Sequence, residues 1–259
     1  MKIERLLIIP DPEQPEKSLA LAKEYGCGFE YNDFYMPCFL DDDVACNERI
    51  QLYTEQASLP DYCTMHGAFL DVTIFSDDPK IVKVSDERVE QSLRIARRIG
   101  AKGIVFHTNF VPNFHADYYR QGWVERNVAY WKQKLETYSD IHIYMENMFD
   151  MSYELLAEVS KRLCTYSNFG VCFDYAHAHV FGDENKINEW VEALAPYVKH
   201  IHINDNDLKD DLHLAIGEGR IDWSRFKEFY HTFFPQASVL IEMKGLDAAE
   251  KSLQYLNRL

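Results

Sequence analysis

The chain has 259 residues, 47% of them apolar and 27% charged, a composition that excludes a disordered tail or a fibrous protein. Its 42 acidic and 27 basic side chains leave a formal charge of −15, which opposes a polyanionic partner, since non-specific nucleic-acid binding neutralises phosphates with Lys and Arg. A length near 260 suits either two modest domains or one large α/β barrel.

The N-terminal stretch MKIERLLIIP holds only a short apolar run and no small-residue cleavage site, so no signal peptide is expected. No apolar run is long enough to cross a bilayer. From there one pattern recurs: a short apolar run, a polar loop, then an amphipathic helix. The runs are residues 6–10, 28–32, 63–66, 103–107, 141–146, 170–174, 199–204 and 238–242. Each has the length and composition of a buried parallel strand. Between them lie helical stripes. Val89, Leu93 and Ala96 form one, with Ser85 expected as N-cap and Gly100 as the stop. Leu155, Leu156, Val159 and Leu163 form a second after Ser152, and Leu246, Ala249, Leu253 and Leu256 form the last. Trp123, Tyr130 and Trp131 fall in a helical stretch and read as core or interface.

Eight such units of about 32 residues, with no linker or low-complexity stretch between them, predict a single-domain (β/α)8 TIM barrel over residues 1–259. A doubly wound sheet is the alternative. The one short glycine pair, Gly217 and Gly219, follows no strand, so no dinucleotide loop supports it. The six cysteines show no paired spacing and read as reduced, packed thiols of a cytoplasmic protein.

A barrel carries its active site at the C-terminal ends of its strands. Strand three ends in His66, strand four in His107, strand five in Glu146. Strand six ends in Asp174, with His177 just beyond. Strand seven ends in His202, followed by Asp211 and His213, and strand eight ends in Glu242. One charged group at a strand end is an ordinary satisfied loop residue, and His142 and His200 are read that way. Nine converging carboxylates and imidazoles are different. They would repel and suffer desolvation unless divalent cations sat among them. Imidazole with carboxylate suits zinc, manganese and related metals. No cysteine joins them, so the expected metals are catalytic.

At these residues the sequence resembles the xylose isomerase-like TIM-barrel superfamily, which includes endonuclease IV, the tagatose/psicose epimerases and sugar phosphate isomerases/epimerases. The resemblance rests on MHGAFL at 65–70, FHTN at 106–109, MENM at 145–148, FDYAHA at 173–178 and HIHINDNDLKDDLHLAIGEGRIDW at 200–223. It implies two nested ligand sets. As in the epimerases, Glu146, Asp174, His202 and Glu242 would bind one metal, with His177 near the substrate. As in endonuclease IV, His66 and His107 would join Glu146 on one metal, the epimerase set would surround a second, and His177, Asp211 and His213 would hold a third. Between one and three ions of Zn, Mn, Co or Mg are therefore expected.

Two chemistries follow. The first is isomerisation or epimerisation of a small carbohydrate or sugar phosphate through a metal-stabilised enediolate, with Glu146 and Glu242 moving the proton and His177 orienting a hydroxyl. This reading is placed first. The second is multinuclear phosphoester hydrolysis, to which the extra ligands His66, His107, Asp211 and His213 are better suited. A silent sugar-binding barrel is a third. The acid balance opposes DNA, and the segment EYNDFYMPCFLDDD at 30–43 stands where endonuclease IV has a basic loop. Asn32, Tyr35, Phe69, Asn109, His115 and Asn147 are the expected substrate contacts, with aromatic packing under long loops as the alternative. Phe69 and Leu70 read as pocket wall rather than as a base-stacking pair. Lys244 would meet a phosphate or solvent. Homo-oligomerisation is left open.

Overall fold

The computed structural model describes residues 1–70 and 72–259. The apolar runs form eight strands: β1 (Leu6–Ile8), β2 (Gly28–Tyr31), β3 (Cys63–His66), β4 (Gly103–His107), β5 (His142–Glu146), β6 (Phe169–Asp174), β7 (Val198–Ile203) and β8 (Ser238–Ile241). Each pairs in parallel with the next in chain order, and β8 pairs with β1, closing the expected TIM barrel. The helices between them are α1 (Pro15–Tyr25), α2 (Pro37–Leu40), α3 (Asp43–Thr54), α4 (Pro79–Arg98), α5 (Asp117–Thr137), α6 (Glu154–Leu163), α7 (Tyr175–Val180), α8 (Ile187–Leu194), α9 (Trp223–Phe233) and α10 (Leu246–Arg258). No helix among the described residues is long and apolar enough to cross a membrane, and the six cysteines are free thiols.

The helical stripes bury as their spacing predicts. Leu155, Leu156, Val159 and Leu163 are buried on α6, and Leu246, Ala249, Leu253 and Leu256 on α10. Burying one such Leu contributes about 1.5–3 kcal/mol. Trp123 and Trp131 of α5 are core residues, packed on Phe75 and Phe110 and on Phe106 respectively. One boundary differs. The helix carrying Val89 does not start at Ser85. It starts two turns earlier, where Asp78 caps the N–H of Lys80 at 2.8 Å and Pro79 takes the first position. Ser85 lies inside α4 and its hydroxyl accepts from the N–H of Thr73. The early turns escape the pattern because Ile81 and Val84 are exposed and give no stripe. The stop is at Gly100, whose φ of +73° suits glycine, while the N–H of Ala101 reaches back to the carbonyl of Ala96.

Alternation along the strands separates two apolar regions. The large core lies between strands and helices. Inside the barrel a small second cluster, Val105, Tyr144 and Cys172, fills the middle. Gly103 makes room for it: a Cβ there would stand 2.3 Å from the Tyr144 ring. The same parity that turns Val105, Tyr144 and Cys172 inward also turns His107, Glu146 and Asp174 inward, two residues on, at the C-terminal rim.

Candidate metal centre

Six of the nine expected donors sit at strand ends. His66, His107, Glu146 and Asp174 are the last residues of β3, β4, β5 and β6, His202 is next to last in β7, and Glu242 follows β8. Register brings them level, since His107 pairs with Glu146 and Asp174 with His202. Asp174 also caps α7, its Oδ1 accepting the N–H of His177 at 2.6 Å, which swings that imidazole over the mouth. Asp211 and His213 come from the loop between β7 and α9.

The nine residues gather into three groups, within each of which the offered atoms lie within 4.8 Å of one another: His66, His107 and Glu146; Glu146, Asp174, His202 and Glu242; His177, Asp211 and His213. Glu146 joins the first two. Its Oε2 stands 3.4 Å from His66 Nε2 and 3.3 Å from His107 Nε2, and its Oε1 stands 3.1 Å from His202 Nδ1. Asp211 Oδ2 lies 3.4 Å from His177 Nε2 and 3.1 Å from His213 Nε2. Backbone carbonyls orient three of the imidazoles. His66 Nδ1 faces Gly67 O, His177 Nδ1 faces Asn147 O and His213 Nδ1 faces Glu242 O, each at 3.0 Å. A carbonyl only accepts, so Nδ1 carries a proton and Nε2 is the nitrogen that faces the group and would ligate an ion in place of its own proton.

The electrostatics are those of crowded acids. Burial, with Glu242 and Glu146 beside it, raises the Asp174 carboxyl to about 7. Burial pulls His177 down, but Asp174, Asp211 and Glu146 outweigh it and leave His177 at about 10. His213 stands at about 9 for a similar reason, Asp211 and Glu242 overcoming burial. Burial opposes ionisation of Glu146 as well, yet His202 and His107 hold it well below the carboxylate range. Even so, Glu146 Oε2, Asp174 Oδ2, Glu242 Oε2 and Asp211 Oδ1 are buried oxygens with no hydrogen-bond partner. Orphaned acceptors of this kind are costly. Mixed imidazole and carboxylate donors, with orphaned oxygens pointing at one mouth, fit zinc, manganese or cobalt.

The expected substrate contacts divide. Phe69 packs edge-on against the first group, its ring centroid 4.5 Å from that of His107 and 5.5 Å from that of His66, and Tyr35 packs behind it at 5.5 Å. Asn32 is half-buried and its Oδ1 has no partner. Asn109 donates its amide to Phe69 O and Val72 O and so fixes the Phe69 loop. Asn147 is buried and bonds both backbone groups of Asp174, at 2.9 Å each. His115 is exposed beside Arg120 on a recess of about 190 Å³, and Lys244 is exposed in a separate recess with Lys17 and Asp247.

Two buried carboxylates that the sequence reading did not single out support this centre. Glu30, which falls both in the expected strand 28–32 and at the head of the acidic 30–43 segment, is a β2 residue facing the barrel interior; it is fully buried, with its carboxylate beside His200 and His202. Asp205 is also fully buried. Its Oδ1 accepts from the N–H groups of Asn206 and Ile221, and its Oδ2 from the N–H of Gly217 and the indole of Trp223. Its backbone bridges Leu214 in both directions, which holds His213 at a φ of +49° that non-glycine residues seldom adopt. Asp205→Asn replaces an anion accepting four bonds with an amide that accepts fewer. A loss of about 2–4 kcal/mol is expected in urea unfolding, with the Asp211–His213 group displaced; a loss below about 1 kcal/mol would remove Asp205 as the pin of this loop.

The fold and this rim define the class. The family model described as xylose isomerase-like TIM barrel matches residues 19–259, and the chain belongs to that family. Among curated proteins it is 26% identical over 200 residues to the uncharacterized protein MJ1311 of Methanocaldococcus jannaschii, covering 74% of this chain and 68% of that one. It is 20% identical over 185 residues to the probable endonuclease 4 of Staphylococcus carnosus, covering 64% and 61%. Among solved structures it superposes on the TTHB071 protein of Thermus thermophilus, soaked with ZnCl2, at a TM-score of 0.75 and 21% identity, covering 99% and 97%. On a D-tagatose 3-epimerase-like protein the values are 0.73 and 24%, covering 89% and 87%. At these identities the structural likeness speaks to the fold.

Proposed function

We propose that this chain is a multinuclear divalent-metal enzyme that hydrolyses a small phosphoester. The observation that carries the reading is that the nine rim donors fall into three groups, with Glu146 shared by two of them. Isomerisation needs one such group, whereas neutralising a phosphate and its leaving oxygen uses several. The likeness to proteins named probable endonuclease 4 supports the chemistry. The −15 charge and the acidic 30–43 segment oppose a polynucleotide and favour a small substrate.

Bound divalent ions supply Lewis-acid polarisation and an acidified water. The chain's own residues do the rest. Glu146 presents one oxygen to each of two groups. Gly67 O and Asn147 O hold His66 and His177 with Nε2 forward. Phe69 walls the first group and limits access of bulk water from that side.

One observation favours a second reading. Glu146, Asp174, His202 and Glu242 form a complete four-donor set by themselves, and a D-tagatose 3-epimerase-like protein shares the fold. There Glu146 and Glu242 would move a proton at carbon. Elemental analysis joined to two assays separates the readings. Three ions per chain with turnover of bis(p-nitrophenyl) phosphate or a sugar phosphate is the expected result. One ion, with exchange of a ketose carbon-bound proton into heavy water, would replace hydrolysis by epimerisation. A chain that takes up no zinc, manganese or cobalt would overturn both.

A further inference from the structure

Beneath the metal centre the barrel interior is polar, which is unusual for a layer sealed from solvent. Glu30 of β2, Thr64 of β3, His200 and His202 of β7 and Ser238 of β8 are all completely buried. Their contacts close on one carboxylate. Glu30 Oε2 takes the Thr64 hydroxyl at 2.6 Å and His200 Nε2 at 3.0 Å. Glu30 Oε1 stands 3.1 Å from His202 Nε2, an ion-pair distance, and neither atom makes a hydrogen bond. The second ring nitrogen of His200 is met by the Ser238 hydroxyl at 2.7 Å. With an ion taking the Nδ1 side of His202, donors and acceptors balance with both imidazoles neutral. Ser238 gives its proton to His200 Nδ1. His200 and Thr64 each give one to Glu30 Oε2, and His202 Nε2 faces the other oxygen. A single ionised carboxylate then accepts two hydrogen bonds and faces a third imidazole nitrogen, as a buried charge needs.

The consequence falls on His202. Its other nitrogen, Nδ1, stands 3.1 Å from Glu146 Oε1 and 3.3 Å from Glu242 Oε2, inside the four-donor group. We propose that Glu30 is a positioning residue for the metal centre: facing His202 Nε2 from inside the sealed barrel, it fixes the proton there and turns the Nδ1 lone pair to the ion. This rests on the metal reading above. Glu30 touches no substrate. Its part is to hold the His202 proton at Nε2, so that Nδ1 is the ligating nitrogen, correctly oriented and more basic, as a carboxylate behind a ligating imidazole does.

The choice of ligating nitrogen differs from the other imidazoles. His66, His177 and His213 face the centre through Nε2 because backbone carbonyls hold their Nδ1 protons. His202 faces it through Nδ1, and what stands behind it is a side-chain carboxylate. A carbonyl is neutral, whereas Glu30 brings a full negative charge. The centre therefore has a lever on one ligand that the others lack.

The test uses the full chain loaded with zinc and, separately, with cadmium-113. Zinc affinity, measured by chelator competition, is expected to fall about 10–100-fold in Glu30→Gln. In ¹⁵N-labelled wild type loaded with cadmium, coupling to the metal is expected at His202 Nδ1, with a slowly exchanging proton on Nε2. Metal coupling at His202 Nε2 would overturn the proposal on the wild-type chain alone, whatever the variant does. A Glu30→Gln chain that folds and binds zinc within twofold of wild type would overturn it too, while leaving the metal reading intact. A wild-type chain that binds neither ion overturns the metal reading, and this inference with it.

Discussion

Glu146→Gln is expected to lower turnover by on the order of 10³-fold or more while the barrel stays folded. The size follows from position. Glu146 is the donor that joins two of the three rim groups, and its two oxygens face different ways: Oε2 toward His66 and His107, Oε1 toward His202. A glutamine of equal shape removes the charge from both at once. It also puts an N–H donor where a ligand atom is required, against the lone pair of either the His66–His107 pair or His202. No rotation of the amide repairs both sides. The third group, His177, Asp211 and His213, does not include Glu146, so ion content should fall without reaching zero. Fold retention is checked by circular dichroism and the unfolding midpoint, and ion loss by elemental analysis. Wild-type turnover and ion content in this variant would remove the bridging carboxylate from the account, and with it the argument for several coupled ions.

The rim was legible because strand ends can be read without coordinates. Once eight apolar runs are recognised, the residue closing each run is fixed, and barrel closure makes those residues neighbours. Interior and loop carboxylates were harder. Glu30 lies in the run Gly28–Tyr31, one residue past Phe29, and was read together with the acidic segment that follows. Period-two alternation from Gly28 puts it inside the barrel, where a lone acid needs partners, and that signal was available. Asp205 carries no comparable signal. Its four donors span residues 206 to 223, and only the folded loop shows that they converge. Asn109 and Asn147 illustrate the opposite case. Amides beside a cavity suggest ligand contacts, yet here they tie the Phe69 loop and the end of β6 in place.

Stripping the ions should destabilise the chain, and the loss should grow as pH rises. An ion present at a hundredfold excess over its Kd stabilises by about 2.7 kcal/mol. For a chain of this length that is roughly 5–11 °C in Tm per ion. The pH dependence comes from groups that hold protons in the metal-free fold. Asp174 is raised from 3.8 to about 7, His213 from 6.5 to about 9 and His177 from 6.5 to about 10. Each binds its proton more tightly folded than unfolded. Their contribution is complete below the unfolded values and is lost as pH rises through the folded ones, first for Asp174 and then for the two histidines. The groups shifted the other way, Glu146, Glu242 and Asp211, matter only as pH falls through the acid range. Between pH 6 and 9 the metal-free chain therefore weakens steadily. In the loaded chain ions replace those protons, so binding releases protons and tightens with pH. Scanning calorimetry of chelator-treated and zinc-loaded protein at pH 6 and pH 8.5 should show the gap in Tm widening at the higher pH. A gap that is constant or narrows would mean that Asp174, His177 and His213 do not give up protons to an ion, and the third donor group would then lose its role.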